Sequence, residues 1–179
     1  MRRAETGFSG TGRLSMQWQD GAQIESALEH TFNEILATRM LDMPVLNPAL
    51  AVRALGFGQF GDDWLGVLIT PWFMNLLLLP GPDSTWITQP SGGKFEQTFP
   101  YGSFEFTVAN EAQLGTYGQC SLFSPMFEFQ NQAATIAAAE AILRQLPQPD
   151  RPPTPIKPRP RLSRRDLLRG AFLDREQGN

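Results

Sequence analysis

Cysteine and histidine are almost missing from this chain, which holds one of each, Cys120 and His30, in 179 residues. Disulfide frameworks need paired cysteines and Cys/His zinc sites need several ligands, so neither can be built within one chain. Charge is also sparse, at 18% Asp, Glu, Lys and Arg, against 41% apolar residues. That balance describes a globular body rather than a disordered one. No glycine pattern of the phosphate-cradling or dinucleotide-binding kind occurs. Arg2 and Arg3 are not followed by an apolar stretch, so no signal peptide is expected. A lone thiol accords with a reducing compartment. The expectation is a cytoplasmic protein with one main domain, long enough for a real core.

What the chain does have is a run of 19 residues without a charge, Trp64 to Pro82 (WLGVLITPWFMNLLLLPGP). A spanning helix needs about 20 apolar residues, but Pro71 sits near the middle, where it removes a helix donor and clashes with the preceding turn. Read as WLGVLIT and FMNLLLLP, the run gives two strand-length pieces around a Pro71-Trp72 turn. The chain is therefore not expected to be embedded in a membrane. An apolar hairpin of this kind must be buried, or lent in part to a partner.

Charge is divided along the chain. Residues 1–146 carry 7 basic and 14 acidic side chains, net −7, whereas residues 147–179 carry 8 and 4, net +4. An acidic body argues against nucleic-acid binding, because phosphate contacts need Lys and Arg. It favours a basic partner segment, or serves solubility alone.

Residues 1–19 are rich in Gly, Ser and Thr and are expected to be mobile. Asp20 and Gln23 form a capping-box pattern ahead of a helix in which Ile24, Leu28 and Ile35 share a face. That helix should end near Met40, since Pro44 follows. A strand is expected from Val52 to about Phe60, then a Gly61-Asp62-Asp63 loop and the two apolar strands. Two more strands are expected at Lys94–Phe99 and Ser103–Val108; in the latter Phe104, Phe106 and Val108 alternate with polar residues. Gly115–Cys120 reads as a loop or short strand. Ser124-Pro125 reads as a helix start, with Phe129, Ala133, Ile136 and Leu143 at helical spacing to about Leu146. The fold class is α+β: a mainly antiparallel sheet of about five to six strands flanked by an N-terminal and a C-terminal helix. Residues 20–146 form the domain. Residues 147–179 are expected to be a disordered tail, a proline-rich linker followed by a basic segment.

No nucleophile, base and orienting group can be assembled with specificity, so no catalytic residue, metal ligand or cofactor is expected. Aromatic and methionine side chains are the remaining chemistry. Trp72, Phe73 and Met74, at one turn, and Ser124, Met126, Phe127 and Phe129, beside another, are the candidate partner-binding residues, because apolar bulk next to a turn can escape the core. Cys120 stands just before the second group and joins it, with burial as its ordinary fate.

The pieces MPVLNPALAVRALGF (43–57), WLGVLITPWFMNLLLLPGP (64–82), FPYGSFEF (99–106) and LGTYGQCSLFSPMFEFQNQAATIAAAEAIL (114–143) resemble the HybE/HupJ family of nickel–iron hydrogenase maturation chaperones. The resemblance covers roughly residues 24–145. It implies a small cytoplasmic chaperone that binds precursor hydrogenase subunits before assembly, or before export of the small subunit with its twin-arginine signal. Other maturation proteins are further partners it allows. Protection of a maturing metal cluster from oxygen has been proposed for relatives. Some members carry a fused rubredoxin domain, a four-cysteine iron site that one cysteine cannot supply. The competing class is a metal-cluster or redox maturation factor using Cys120 as a thiol.

The tail contains Ser163-Arg164-Arg165-Asp166-Leu167-Leu168-Arg169, which resembles a twin-arginine export motif. It lies at the wrong end of the chain and lacks a following apolar region. Arg164 and Arg165 therefore cannot serve as an ordinary export signal; they read either as part of a chance basic tail or as a mimic of the signal.

Overall fold

The computed structural model describes residues 18–100 and 102–146. The stretch before residue 18 and the tail, with Arg164 and Arg165, lie outside the described residues. The chain runs α1 (Gly21–Arg39), β1 (Arg53–Phe60), β2 (Asp63–Ile69), β3 (Met74–Leu79), a short 3-10 turn (Trp86–Thr88), β4 (Lys94–Phe99), β5 (Gly102–Glu111), β6 (Gly115–Phe123) and α2 (Gln132–Gln145). The strands form one sheet in the order β1-β2-β3-β6-β5-β4, with every neighbouring pair antiparallel.

α1 starts where the capping pattern places it. Asp20 Oδ1 accepts from Gln23 N–H at 2.8 Å, and Gln23 Oε1 accepts from Gln19 N–H at 2.9 Å. Its buried face is Ile24, Leu28, Thr31, Phe32 and Ile35, and it lies along β1. Two of its carboxylates also protect that edge strand: Glu29 accepts from Ala54 N–H and Glu25 from Phe57 N–H, each at 3.1 Å. An edge strand otherwise offers unpaired amides to any passing chain.

α2 covers the opposite face, over β2 and β1. All six residues of β3 are buried. Its continuous apolar sequence, rather than an alternating one, follows from having a helix layer on each side. Leu76 and Leu78 join the cluster under α2 with Ile69, Phe106, Leu122 and Ile142. Leu77 and Leu79 join the cluster under α1 with Leu28, Phe32 and Leu68. Each such side chain is worth roughly 1.5–3 kcal/mol of burial.

Three expectations are corrected. Gly115–Cys120, read as a loop or short strand, is a strand but longer than expected: it belongs to the nine-residue β6 in the middle of the sheet. Its strand signal is weak because Gly118 has no side chain, and the packing requires that: a Cβ there would lie 2.7 Å from the ring of Phe95. Second, Ser124-Pro125 does not start a helix. α2 is capped seven residues later by Asn131, whose side chain accepts from Ala134 N–H at 2.9 Å. Phe129 therefore precedes the helix and packs edge-on against Phe123. The buried face of α2 is Thr135, Ala139, Ala141 and Ile142, with Ala133 exposed. Third, Asp63 is not a loop residue but the buried first residue of β2. Its carboxylate takes Gly81 N–H, Trp86 Nε1–H at 2.9 Å and the Ser84 hydroxyl, which locks the chain after β3.

Candidate functional site

The end of the sheet opposite Asp63 is organised by Asn47. Three chain segments arrive there: the loop that follows α1, the turn between β2 and β3, and the segment that follows β6. Asn47 binds all three. Its backbone N–H donates to Pro71 O at 2.8 Å. Its buried side-chain amide donates to Met126 O at 2.9 Å and Phe129 O at 2.8 Å. Its Oδ1 accepts from Ala49 N–H at 3.0 Å, the Asx turn expected of Asn-Pro. An apolar residue here would keep the bond to Pro71 O but leave Met126 O, Phe129 O and Ala49 N–H without their side-chain partner.

The β2–β3 turn is fixed by Thr70. Its N–H donates to Phe73 O at 2.8 Å, and its hydroxyl accepts from Phe73 N–H at 2.9 Å. Trp72 is thereby set at the tip, half-buried, edge-on to Phe73 at 5.5 Å. Phe73 is held in turn edge-on to Phe32 of α1 at 5.9 Å. The Ser124 hydroxyl reaches Trp72 O across a long 3.5 Å contact.

The exposed large apolar side chains among the described residues are Leu41 (66% exposed), Met43 (48%), Val45 (37%) and Phe127 (58%). All four lie within six residues of Asn47 or beside its acceptor Met126. Asn47 thus ties the loop that carries Leu41, Met43 and Val45 to the segment that carries Phe127 and to the turn that carries Trp72. Burial of scattered apolar residues is incomplete in any protein, but several on segments that are tied together make a candidate contact surface. Exposed Asp42 and Glu128 sit among them. The described cations on either side of this loop in sequence are paired: Arg39 with Glu111 at 2.8 Å and Arg53 with Glu29 at 3.2 Å.

The structure separates the candidate residues into two groups. Ser124 and Phe127 are exposed and Trp72 and Phe73 half-buried. Met74, Cys120, Met126 and Phe129 are buried in the core. Met126 and Phe129 thus support the surface through their backbone carbonyls rather than forming it, and Met74 anchors the start of β3. The loop residues Leu41, Met43 and Val45, and Asn47 itself, are not among the residues singled out from sequence. The available signal was LDMPVLNP, a loop that is apolar yet too interrupted by proline to enter a helix or strand.

Chemistry of other kinds is thin. Cys120 is 1% exposed. Among the described residues no group of three or more His, Cys, Asp or Glu is placed to hold a metal ion. No helix among them is long and apolar enough to cross a membrane. A cleft of about 330 Å³ lies between α1 and the β5–β6 turn, lined by Thr31, Glu34, Thr38, Arg39, Glu111 and Gln113 among others. Its polar groups largely satisfy one another: Thr31 and Glu34 bond Gln113, and Arg39 bonds Glu111. Nearby, burial first and the Glu111 carboxylate second push the Tyr117 phenol up to about 12.

Comparison with known proteins points one way. The family model described as NiFe-hydrogenase assembly, chaperone, HybE matches residues 23–170. Protein HoxT of Cupriavidus necator is 46% identical over 154 residues, spanning 80% of this chain and 86% of that protein. The hydrogenase expression/formation protein HupJ of Bradyrhizobium diazoefficiens is 38% identical over 152 residues, spanning 83% and 88%. The solution structure of HybE from Escherichia coli superposes with a TM-score of 0.56 at 27% identity, covering 79% of this chain and 92% of that one.

Proposed function

From the premise that this chain belongs to the HybE family of NiFe-hydrogenase assembly chaperones, we propose that it works by holding precursor subunits of a nickel–iron hydrogenase before they are assembled. The surface is the apolar end of the domain, formed by Leu41, Met43, Val45, Trp72 and Phe127 with Phe73 behind them. Phe127 and Leu41 are the anchors, since they stand furthest out of the core. Asp42 and Glu128 on the same surface favour a partner segment that is both apolar and basic. A twin-arginine signal on a precursor small subunit has that chemistry. The chain does this in the cytoplasm, by binding alone and without a reaction of its own.

The observation that carries the reading is the gathering of the exposed large apolar side chains around Asn47. Nothing comparable supports a thiol mechanism, because Cys120 lies inside the core under α2. Co-purification from cells that express a hydrogenase operon tests it. The wild-type chain should recover precursor subunits identified by mass spectrometry, and Phe127→Ser should lose them while remaining folded. Equal recovery by both would place the surface elsewhere.

A further inference from the structure

The family match does not stop with the described domain. It runs to residue 170, through the proline-rich linker and into the basic segment. That segment, residues 161–172 (RLSRRDLLRGAF), lies outside the described residues. It carries four arginines and one aspartate, together with Leu162, Leu167, Leu168 and Phe172. Its chemistry is the one the Asn47 end of the domain calls for: apolar side chains for Leu41, Met43 and Phe127, and cations for Asp42 and Glu128.

We infer that residues 161–172 are an internal ligand of the apolar surface and compete there with a precursor's basic segment. The inference rests on the reading of that surface given under Proposed function. Two further observations support it. The first is charge. Among the described residues the basic side chains are Arg39, Arg53, Lys94 and Arg144, and three of them are already paired with Glu111, Glu29 and Glu105. The fourth, Arg144, stands in the last turn of α2, at the far end of that helix from Gln132, whereas the tail carries an excess of cations.

The second is reach. α2 begins beside the apolar surface, where Gln132 bonds both the N–H and the C=O of Ala51, and its 14 residues carry the chain about 21 Å away. The 14 residues 147–160 have a maximum reach of about 43 Å, at about 3.1 Å per residue. The chain can therefore return over the length of α2. A tether of that length holds its ligand at an effective concentration on the order of a millimolar. If the free segment binds with a dissociation constant of about 0.1 mM, the surface is closed about nine-tenths of the time. An outside partner then sees its affinity reduced about tenfold. The function of such a contact is selectivity: the surface stays covered until a segment that binds better displaces the tail.

The test uses the full chain with the photo-reactive amino acid benzoylphenylalanine in place of Phe127. Isotopically labelled and unlabelled chains are mixed, irradiated and mapped by mass spectrometry. The expected result is crosslinks from position 127 to residues 161–172 within one chain, lost in Arg164→Ala with Arg165→Ala and weakened by salt. In a second arm, a synthetic twin-arginine peptide is titrated into the full chain without the photoprobe. The same arginine substitutions should tighten its binding about tenfold. Crosslinks that join two chains, or crosslinks that avoid the tail, would overturn the inference, as would peptide affinity unmoved by the arginine substitutions. If the peptide binds and Phe127→Ser abolishes that binding while the tail never crosslinks, the docking surface stands and the internal ligand falls. If the tail crosslinks but precursor subunits are not bound, the reverse holds.

Discussion

Asn47 donates from its side chain to the carbonyl of Met126, 79 residues away in sequence, across 2.9 Å. With the companion bond to Phe129 O, it ties the loop after α1 to the segment after β6. The proposed apolar surface depends on that tie. Neither of its two segments has secondary structure of its own to hold it in place.

Asn47→Ala should therefore cost more than an average loop substitution. It removes two buried hydrogen bonds and leaves the Met126 and Phe129 carbonyls without donors, which amounts to roughly 2–4 kcal/mol. Urea unfolding would read this as a lower midpoint at unchanged slope. A loss under about 0.5 kcal/mol would mean that the two segments are held by something other than Asn47.

Phe127→Ala should separate binding from folding. The side chain is 58% exposed, so stability should stay within about 0.5 kcal/mol of wild type. Binding to a precursor subunit should weaken by about 2 kcal/mol or more if Phe127 is an anchor. Met126→Ala, one residue earlier, should do the opposite first: Met126 is fully buried, and truncation in a core costs about 2–5 kcal/mol.

Most of the fold was legible in the sequence, and the places where it was not share a physical cause. α1 was legible from Asp20 and Gln23, and the β2–β3 hairpin from Pro71 inside an apolar run, because each signal is local. β6 was obscured, since Gly118 is required by a ring packed on it from β4, a partner no local pattern reveals. The start of α2 was misplaced because Ser124-Pro125 satisfies a local rule. Tertiary bonds decide otherwise: Asn47 takes the carbonyls of Met126 and Phe129, and Asn131 makes the cap. The candidate surface was half legible for the same reason. Trp72 and Phe127 stand at turns that can be read from sequence. Leu41, Met43 and Val45 join them through Asn47, which in sequence is only the first residue of a turn.

Cys120→Ala should leave the protein able to support hydrogenase maturation in cells. The thiol is buried beside Leu76 of β3, its register partner, and a small apolar residue replaces it with a modest loss of packing. Maturation that fails while the variant's thermal unfolding is unchanged would bring back a thiol mechanism.

Tyr117 should make the fold sensitive to strong alkali. Burial and the Glu111 carboxylate raise its folded-state pKa from 10.0 to about 12. The folded state holds the proton more tightly, so this contribution to stability is fully present below pH 10. It is lost progressively as pH rises from about 10 to about 12, and amounts to roughly 2–3 kcal/mol. Urea midpoints followed across that range should fall for the wild type and fall less for Tyr117→Phe. Identical slopes for the two would contradict the assignment.

The most direct test of the account is the affinity of a purified precursor hydrogenase subunit for the full chain, measured by titration calorimetry with wild type and with Leu41→Ser plus Phe127→Ser. Thermal unfolding of both proteins is run alongside. The account predicts unchanged unfolding and affinity at least tenfold weaker for the double variant, with the wild-type affinity itself falling as salt is raised. Equal affinity for the two proteins, both folded, would contradict the claim that the apolar surface gathered by Asn47 is where this chaperone holds its client.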